Sequence, residues 1–412
     1  LKLLILLIVF AISIPGSVIC QDQEPEPEMK IDDALNSMLD THPYRFSIFW
    51  VMPEVNITSG YDSNGLYAPS GEVIGDYFLS VSPGASVGLR FGTKAFLVID
   101  QNVNFLYYNE LEQLRDIFNR TSARFTTGSR RTLWSFYGRY VDRKTGVDSE
   151  FDVPVQQKTA SGGADAEIGL GSKWDLGFHV YTAHNTYSEV VDSSLISLPP
   201  DYRNYRYGNS IRYNFHPSVS FIADANITRV EFLNQNNRQN DTFRVLGGLR
   251  LSSPGMKGHV RLGYAQTQTQ RLLVQDDLKS FVGNAQVDFI FRERSTIGGF
   301  FRRDHDISRI GGSNFRITTE GGIRASFPIA KEVFGDASYS YAKNDYGERV
   351  DLEDITQLKD TVHTLQSGLN YHIVRDVILR GGIIYYDRDS NFRRVEKDRL
   401  VYDIGVRYFF NP

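Results

Sequence analysis

The sequence predicts an all-β protein: a transmembrane antiparallel up-and-down β-barrel of roughly 18 strands, with 16 as the alternative count. Three observations predict it. The N-terminus reads as an export signal, the remainder alternates apolar and polar residues over long stretches, and short connections alternate with longer polar ones.

The N-terminus comes first. Lys2 is followed by an apolar run from Leu3 to Ile14, which Pro15 and Gly16 break. That is the order of a secretory signal, and the run is too short to span a bilayer stably. Residues 1–20 are therefore expected to be a signal peptide. Cleavage after Cys20 would remove the single cysteine and with it any disulfide or thiol chemistry. Lipidation of Cys20 is the rival reading, and the bulky Ile19 argues against it. Residues 21–43 are acidic, contain Pro25 and Pro27, and read as a periplasmic tail in which Ile31 to Leu39 could form one short helix. The barrel is expected over residues 44–412.

Composition supports the same class. Beyond residue 20 no run of about 18 apolar residues appears, so no transmembrane helix is expected. Yet 13% of the residues are aromatic, and Tyr, Phe and Gly are abundant. An exported chain of this kind, not hydrophobic on average, suits strands with one face to lipid and one to water. The net charge of -4 is small, and no long basic run points to nucleic acid.

The period-two signal is clearest from Tyr77 to Phe91. Tyr77, Leu79, Val81, Val87, Leu89 and Phe91 share one face, while Ser80, Ser82, Gly84, Ser86, Gly88 and Arg90 share the other. The pattern returns in 202–215, 241–252, 279–291 and 313–327, with aromatics toward the strand ends where interfacial girdles need them. Short turns are expected near 90–94, 171–173, 215–218, 252–257 and 291–295. Longer polar loops are expected over 62–74, 143–152, 189–201, 233–241, 268–278, 345–360 and 388–399. Short periplasmic turns would place both termini on one side. The first strand is expected as one piece, 44–61, and the fourth as 113–127.

Residues 399–410 form the last strand, with Leu400, Tyr402, Ile404, Val406, Tyr408 and Phe410 on one face. This resembles the C-terminal signal that the barrel-assembly machinery reads. Tyr402, Tyr408 and Phe410 are its candidate recognition residues, and outer-membrane lipid is the expected surrounding.

No catalytic, cofactor or metal site is expected. The His residues are scattered without a sharp Ser/His motif. His305 between Asp304 and Asp306 could serve a metal or acid/base site, but reads better as a solvated strand end. Asp62-Ser63-Asn64 and Asp387-Arg388-Asp389 could ligate Ca²⁺ through oxygens, but read better as polar loops.

Charges cannot face hydrocarbon cheaply, so those in strands must line water. Parity assigns to the lumen Arg139, Arg206, Arg212, Arg244, Arg250, Arg261, Arg302, Arg316, Arg324, Arg380 and Arg407. It also assigns Glu54, Asp100, Asp165, Glu167, Asp175, Asp224, Asp288, Glu320, Asp336 and Asp403. Most of the Arg come from residues 202–327 and more of the acids from earlier strands. Two readings stay open: opposed basic and acidic walls guiding a polar or anionic solute, or mutual salt bridging that stiffens the wall.

The segments Asn56-Ile57-Thr58-Ser59-Gly60-Tyr61-Asp62-Ser63-Asn64 and Gly75-Asp76-Tyr77-Phe78-Leu79-Ser80-Val81-Ser82-Pro83-Gly84 resemble the opening of the Putative beta-barrel porin 2 family. The likeness covers about 44–410, sharp in this opening and carried by pattern alone afterwards. It implies a non-enzymatic porin-like conduit in the outer membrane, in the context of exopolysaccharide export and its export components. A general diffusion porin and a non-conducting structural or adhesive barrel are the alternatives.

Overall fold

The computed structural model describes residues 44–46, 48–65, 73–145, 155–188, 201–233, 238–271, 274–291, 295–308, 315–346, 359–391 and 396–410. The expected signal peptide, the acidic tail with its short helix, and the centres of the longest loops lie outside these residues.

Nineteen strands follow one another: β1 (Tyr44–Phe46), β2 (Phe49–Asp62), β3 (Asp76–Phe91), β4 (Ala95–Tyr108), β5 (Asp116–Gly128), β6 (Thr132–Thr145), β7 (Val155–Leu170), β8 (Trp174–Ser188), β9 (Tyr202–His216) and β10 (Val219–Phe232), then β11 (Gln239–Ser253), β12 (Met256–Arg271), β13 (Val274–Phe291), β14 (Ser295–Ile307), β15 (Phe315–Ala330), β16 (Val333–Tyr346), β17 (Lys359–Val374), β18 (Val377–Ser390) and β19 (Lys397–Phe409). Every strand from β2 to β19 pairs antiparallel with its sequence neighbours, and β19 pairs with β2. The result is a closed barrel of eighteen strands. Closure leaves no backbone edge facing lipid, which is the condition a membrane imposes on strands.

The alternation seen in the sequence is the alternation of faces. Tyr77, Leu79 and Phe91 on β3, Ile211 and Phe215 on β9, and Phe281 and Phe289 on β13 are exposed outward, while Ser80, Ser82 and Ser86 are buried inward. Tyr402, Ile404, Val406, Tyr408 and Phe410 are all exposed on the outer face of the last strand. The outward rings gather toward the two ends. Tyr61, Tyr77 and Tyr402 cluster near the loops, with ring centroids 5.1 and 5.4 Å apart. Trp174, Tyr213 and Phe215 cluster near the turns.

Some expectations need correction. The first strand is not continuous: β1 folds back on β2, with Phe46 opposite Phe49. The fourth begins only at Asp116, because Glu112–Leu114 form a single 3-10 turn. No long loop joins β12 to β13; the ladder runs on to Arg271 opposite Val274. The Gln/Thr run 266–270 loses its apolar alternation beyond the membrane, yet keeps pairing.

The motif at the end of β2 closes the barrel. Arg399 donates from Nε and Nη2 to the two carboxylate oxygens of Asp62, at 2.9 and 2.6 Å. The Ser63 amide donates to the Leu400 carbonyl, the Leu400 amide to Ser63 Oγ, and Asn64 Nδ2 to the Asp398 carbonyl. A second pair, Arg407 to Glu54, crosses the same seam near the turns at 2.5 Å. The Asp62 loop is thus a clasp on the last strand rather than a Ca²⁺ loop.

Sidedness follows from the connections. Thiol labelling of intact cells should modify Asn109→Cys and Asn391→Cys, on the loop side, and spare Ser218→Cys and Gly255→Cys, on the turn side. Equal labelling of all four would reject this orientation.

Candidate functional site

The candidate site is the inner face of the barrel. Its charges are interleaved rather than segregated into two walls. Arg212 of β9 is bound by Glu167 of β7 and, at 3.1 Å, by Asp175 of β8. Arg261 of β12 lies 3.4 Å from Asp224 of β10 and donates to Asn284 at 3.0 Å. Arg324 of β15 embraces Asp288 of β13 at 2.7 Å. Arg244 of β11 reaches Asp304 of β14 at 2.5 Å. Arg302 and Arg316 share Asp306, at 2.6 and 4.0 Å, and Glu320 stands opposite Arg302 in the β14–β15 register. The picture of opposed basic and acidic walls is therefore corrected. Acids sit among the Arg strands themselves, and the long Arg side chains reach over one or two intervening strands to meet them.

Near the loops the pairing becomes a buried network. Arg388 of β18 is 1% exposed and held by Asp360 of β17, which is 0% exposed. Asp360 also accepts from Asn344 at 2.7 Å and from the Tyr346 hydroxyl at 3.4 Å, and Thr318 donates to Asn344 at 2.9 Å. Arg388 belongs to this network and is not the centre of a Ca²⁺ loop. No sequence signal announces it, because its members come from four strands whose relative register the sequence does not state.

On β2, β3 and β4 hydroxyls and carboxamides stand beside two acids, Glu54, which is paired with Arg407, and Asp100, which accepts from Ser122. Thr58, Ser82 and Ser86 line it, with Ser80 donating to Asn104 at 2.8 Å and Asn56 to Thr58 at 3.3 Å. Of the other expected lumen residues, Asp165 pairs across to His179 in the β7–β8 register, and Arg206 and Arg250 lie on β9 and β11 facing Thr228 and Ser220 of β10. Arg380 lies on β18 opposite Asn370 and Gly405.

Among the described residues, one connection folds inward. Leu111 and Leu114 are buried against Tyr108, with Phe78 and Leu106 packed beside them on the inner faces of β3 and β4. Asp76 holds the turn by accepting from the amides of Glu110 and Leu111 at 2.7 and 2.8 Å.

His305 does not sit at a solvated strand end. Its Nε2 shares a 2.6 Å hydrogen bond with Ser280 Oγ, and its Nδ1 shares one of 2.9 Å with Thr267 Oγ1. Both ring nitrogens are taken by hydroxyls and Asp304 is engaged by Arg244. The Ser/His contact therefore lacks the orienting carboxylate of a nucleophilic site. Among the described residues no cluster of His, Cys, Asp and Glu could hold a metal ion.

Comparison with known proteins agrees with this geometry. The chain is similar in structure to the FrpB iron transporter of Neisseria meningitidis, with a TM-score of 0.51, 11% identity, and coverage of 82% of this chain and 62% of that one. It is also similar to OpdK of Pseudomonas aeruginosa, with a TM-score of 0.49, 9% identity, and coverage of 87% and 99%. OccAB4 of Acinetobacter baumannii gives 0.46, 12%, 87% and 98%. At 11% identity the likeness to FrpB speaks of fold alone. No curated protein matches the chain. The profile of the Putative beta-barrel porin 2 family matches residues 41–410, nearly the whole sequence. This is an outer-membrane channel protein rather than an enzyme, and the chain belongs to the Putative beta-barrel porin 2 family.

Proposed function

We propose that this porin-like barrel is a conduit for neutral polyhydroxylated solutes, serving as the outer-membrane component of an exopolysaccharide export system. The observation that carries the reading is the lumen wall. Many of its charges are held in pairs, and the strip on β2–β4 adds hydroxyls and carboxamides beside Glu54 and Asp100. Eighteen strands is the size class that leaves an aqueous channel. Paired charges in water contribute weakly, about 1 kcal/mol or less each, so a passing glycan meets many shallow contacts and no trap.

Purified protein in a planar bilayer tests this. Open current is expected, with weak ion selectivity and transient block by neutral oligosaccharides. Changing Arg324 to Glu should turn selectivity toward cations, because it converts a pair with Asp288 into two like charges. A barrel without conductance would sink the conduit reading. Conductance that no oligosaccharide perturbs would sink the glycan.

The inward turn at Leu111 and Leu114 favours a second reading, a constricted diffusion porin for small solutes. Liposome swelling separates them: entry of monosaccharides with no entry or block by longer chains would favour the second.

The same reading gives the outer face of β19 a role in assembly. The outward Tyr402, Tyr408 and Phe410 are the surface offered to barrel-assembly machinery. Replacing Tyr408 and Phe410 with Ser should lower the heat-modifiable fraction in outer membranes severalfold; unchanged insertion would remove these residues from that role.

A further inference from the structure

The wall of the barrel is not uniformly zipped. β13 and β14 pair from Phe291↔Ser295 up to Gly283↔Arg303 and no further. Above that level β13 stays paired to β12 through Val274, and β14 stays paired to β15 through Ile307. Residues 304–307 therefore belong to the sheet on one side only. They stand beside 279–282 without the ladder that a regular barrel would continue.

Side chains show where this end has gone. By strand parity His305 shares the outward face of β14 with Ile297 and Phe301, both exposed to the outside. Yet its imidazole is bonded to Thr267 of β12 and Ser280 of β13, which are on the inner face of their strands. An outward side chain can meet inward ones only if the end of β14 overlaps β13 on the lumen side. Asp304 agrees, since it reaches Arg244 on β11, three strands away. Beside these contacts, Leu246, Ala265 and Val282 form a buried apolar cluster on the inner face, with Val282 only 3% exposed. Apolar side chains facing a watery lumen need a cover, and the overlapping end of β14 is in place to supply it.

Resting on the conduit reading, we propose that residues 304–307 are a gating flap. In the structure it is latched inward by Arg244, Thr267 and Ser280, beside the buried Leu246, Ala265 and Val282. Its alternative is the wall itself, where 304–307 zip onto 279–282 and the ladder of β13 and β14 is completed. The two states exchange comparable contacts: docking uses three side-chain links and apolar cover, zipping uses backbone hydrogen bonds. An element with two such arrangements is bistable, and a solute or loop contact that favours one shifts the population. Docked, the flap narrows the lumen near the loops; zipped, it widens it.

The proposal can be tested without any current. Val282→Cys places a thiol under the flap and leaves the latch intact. In detergent or vesicles it should react slowly with a water-soluble maleimide. Adding Arg244→Ala and Thr267→Val should speed that reaction about tenfold, the shift that removal of a latch gives a two-state equilibrium. Asn284→Cys, below the last ladder pair, should not change. Equal rates at Val282→Cys with and without the latch would overturn the flap, and so would a parallel rise at both sites.

Current then reads its consequence. Ser280→Cys beside His305 gives a thiolate and an imidazole for zinc. Added zinc should lower the open conductance and chelation should restore it, with no effect on the parent protein. Zinc-insensitive conductance would overturn the gate. Absence of conductance in every variant would instead count against the conduit, and the labelling result would still judge the flap.

Discussion

Asp360→Ala is expected to cost about 3–5 kcal/mol, because it leaves a buried Arg388 without its carboxylate. Urea unfolding of the barrel in lipid vesicles would measure it. The contrast lies in the double variant Asp360→Leu with Arg388→Met. Removing both charges also removes the desolvation that the pair must overcome, so the double change should cost less than the single one. Asp360→Asn should fall between, since a carboxamide can still meet Asn344 and Tyr346. A loss below about 1 kcal/mol for Asp360→Ala would show that water reaches Arg388 and screens it.

The second large effect concerns closure. Gly60→Val should abolish the folded, heat-modifiable barrel. A Cβ at this position would collide with the Tyr402 carbonyl oxygen, 2.8 Å from Asp403 Cβ and from a ring carbon of Phe78. A collision with backbone cannot be relieved by a rotamer, and relief would require β2 and β19 to part. The control is Gly138→Ala on β6, where the nearest atom is a carbonyl oxygen at 3.8 Å. That change should leave folding untouched. If Gly60→Val inserted normally, the β2–β19 seam would not be formed as described.

Much of this was legible in the sequence. The eighteen barrel strands are close to those the period-two pattern marks, because one face meets lipid and the other water along almost every strand. The outward row on β19 was legible for the same reason. Errors fell where that constraint ends. β12 and β13 continue past the membrane through Gln266, Thr267 and Gln268, where neither face is greasy. β1 folds back onto β2 within a stretch that still reads as strand.

The lumen was half legible. Parity assigns the Arg and acidic residues to the inner face, but their pairing depends on register and on contacts across several strands. Arg244 and Asp304 are 60 positions apart, Arg212 and Glu167 45. His305 shows the limit most sharply: its parity points to lipid, and only the missing ladder above Arg303 turns it to Ser280. The Asp62 motif was recognised as a family signature, yet its contacts with residues 398–400 needed the closed barrel to be seen.

That closure has a kinetic side. Arg407 and Glu54 are 353 positions apart, whereas each neighbouring hairpin joins residues about one strand length apart. Chain-closure entropy grows as the logarithm of loop length, so this one seam costs about 3 kcal/mol more to bring together than a hairpin does. Local hairpins can form as the chain arrives; the seam must wait for the whole of it. Until then both margins of an eighteen-stranded sheet stand open, and these margins are where the growing sheet is most apt to join a neighbour. Two ion pairs and the Ser63–Leu400 exchange are placed on the joint that forms last, so that the slowest step to reach is also the hardest to undo.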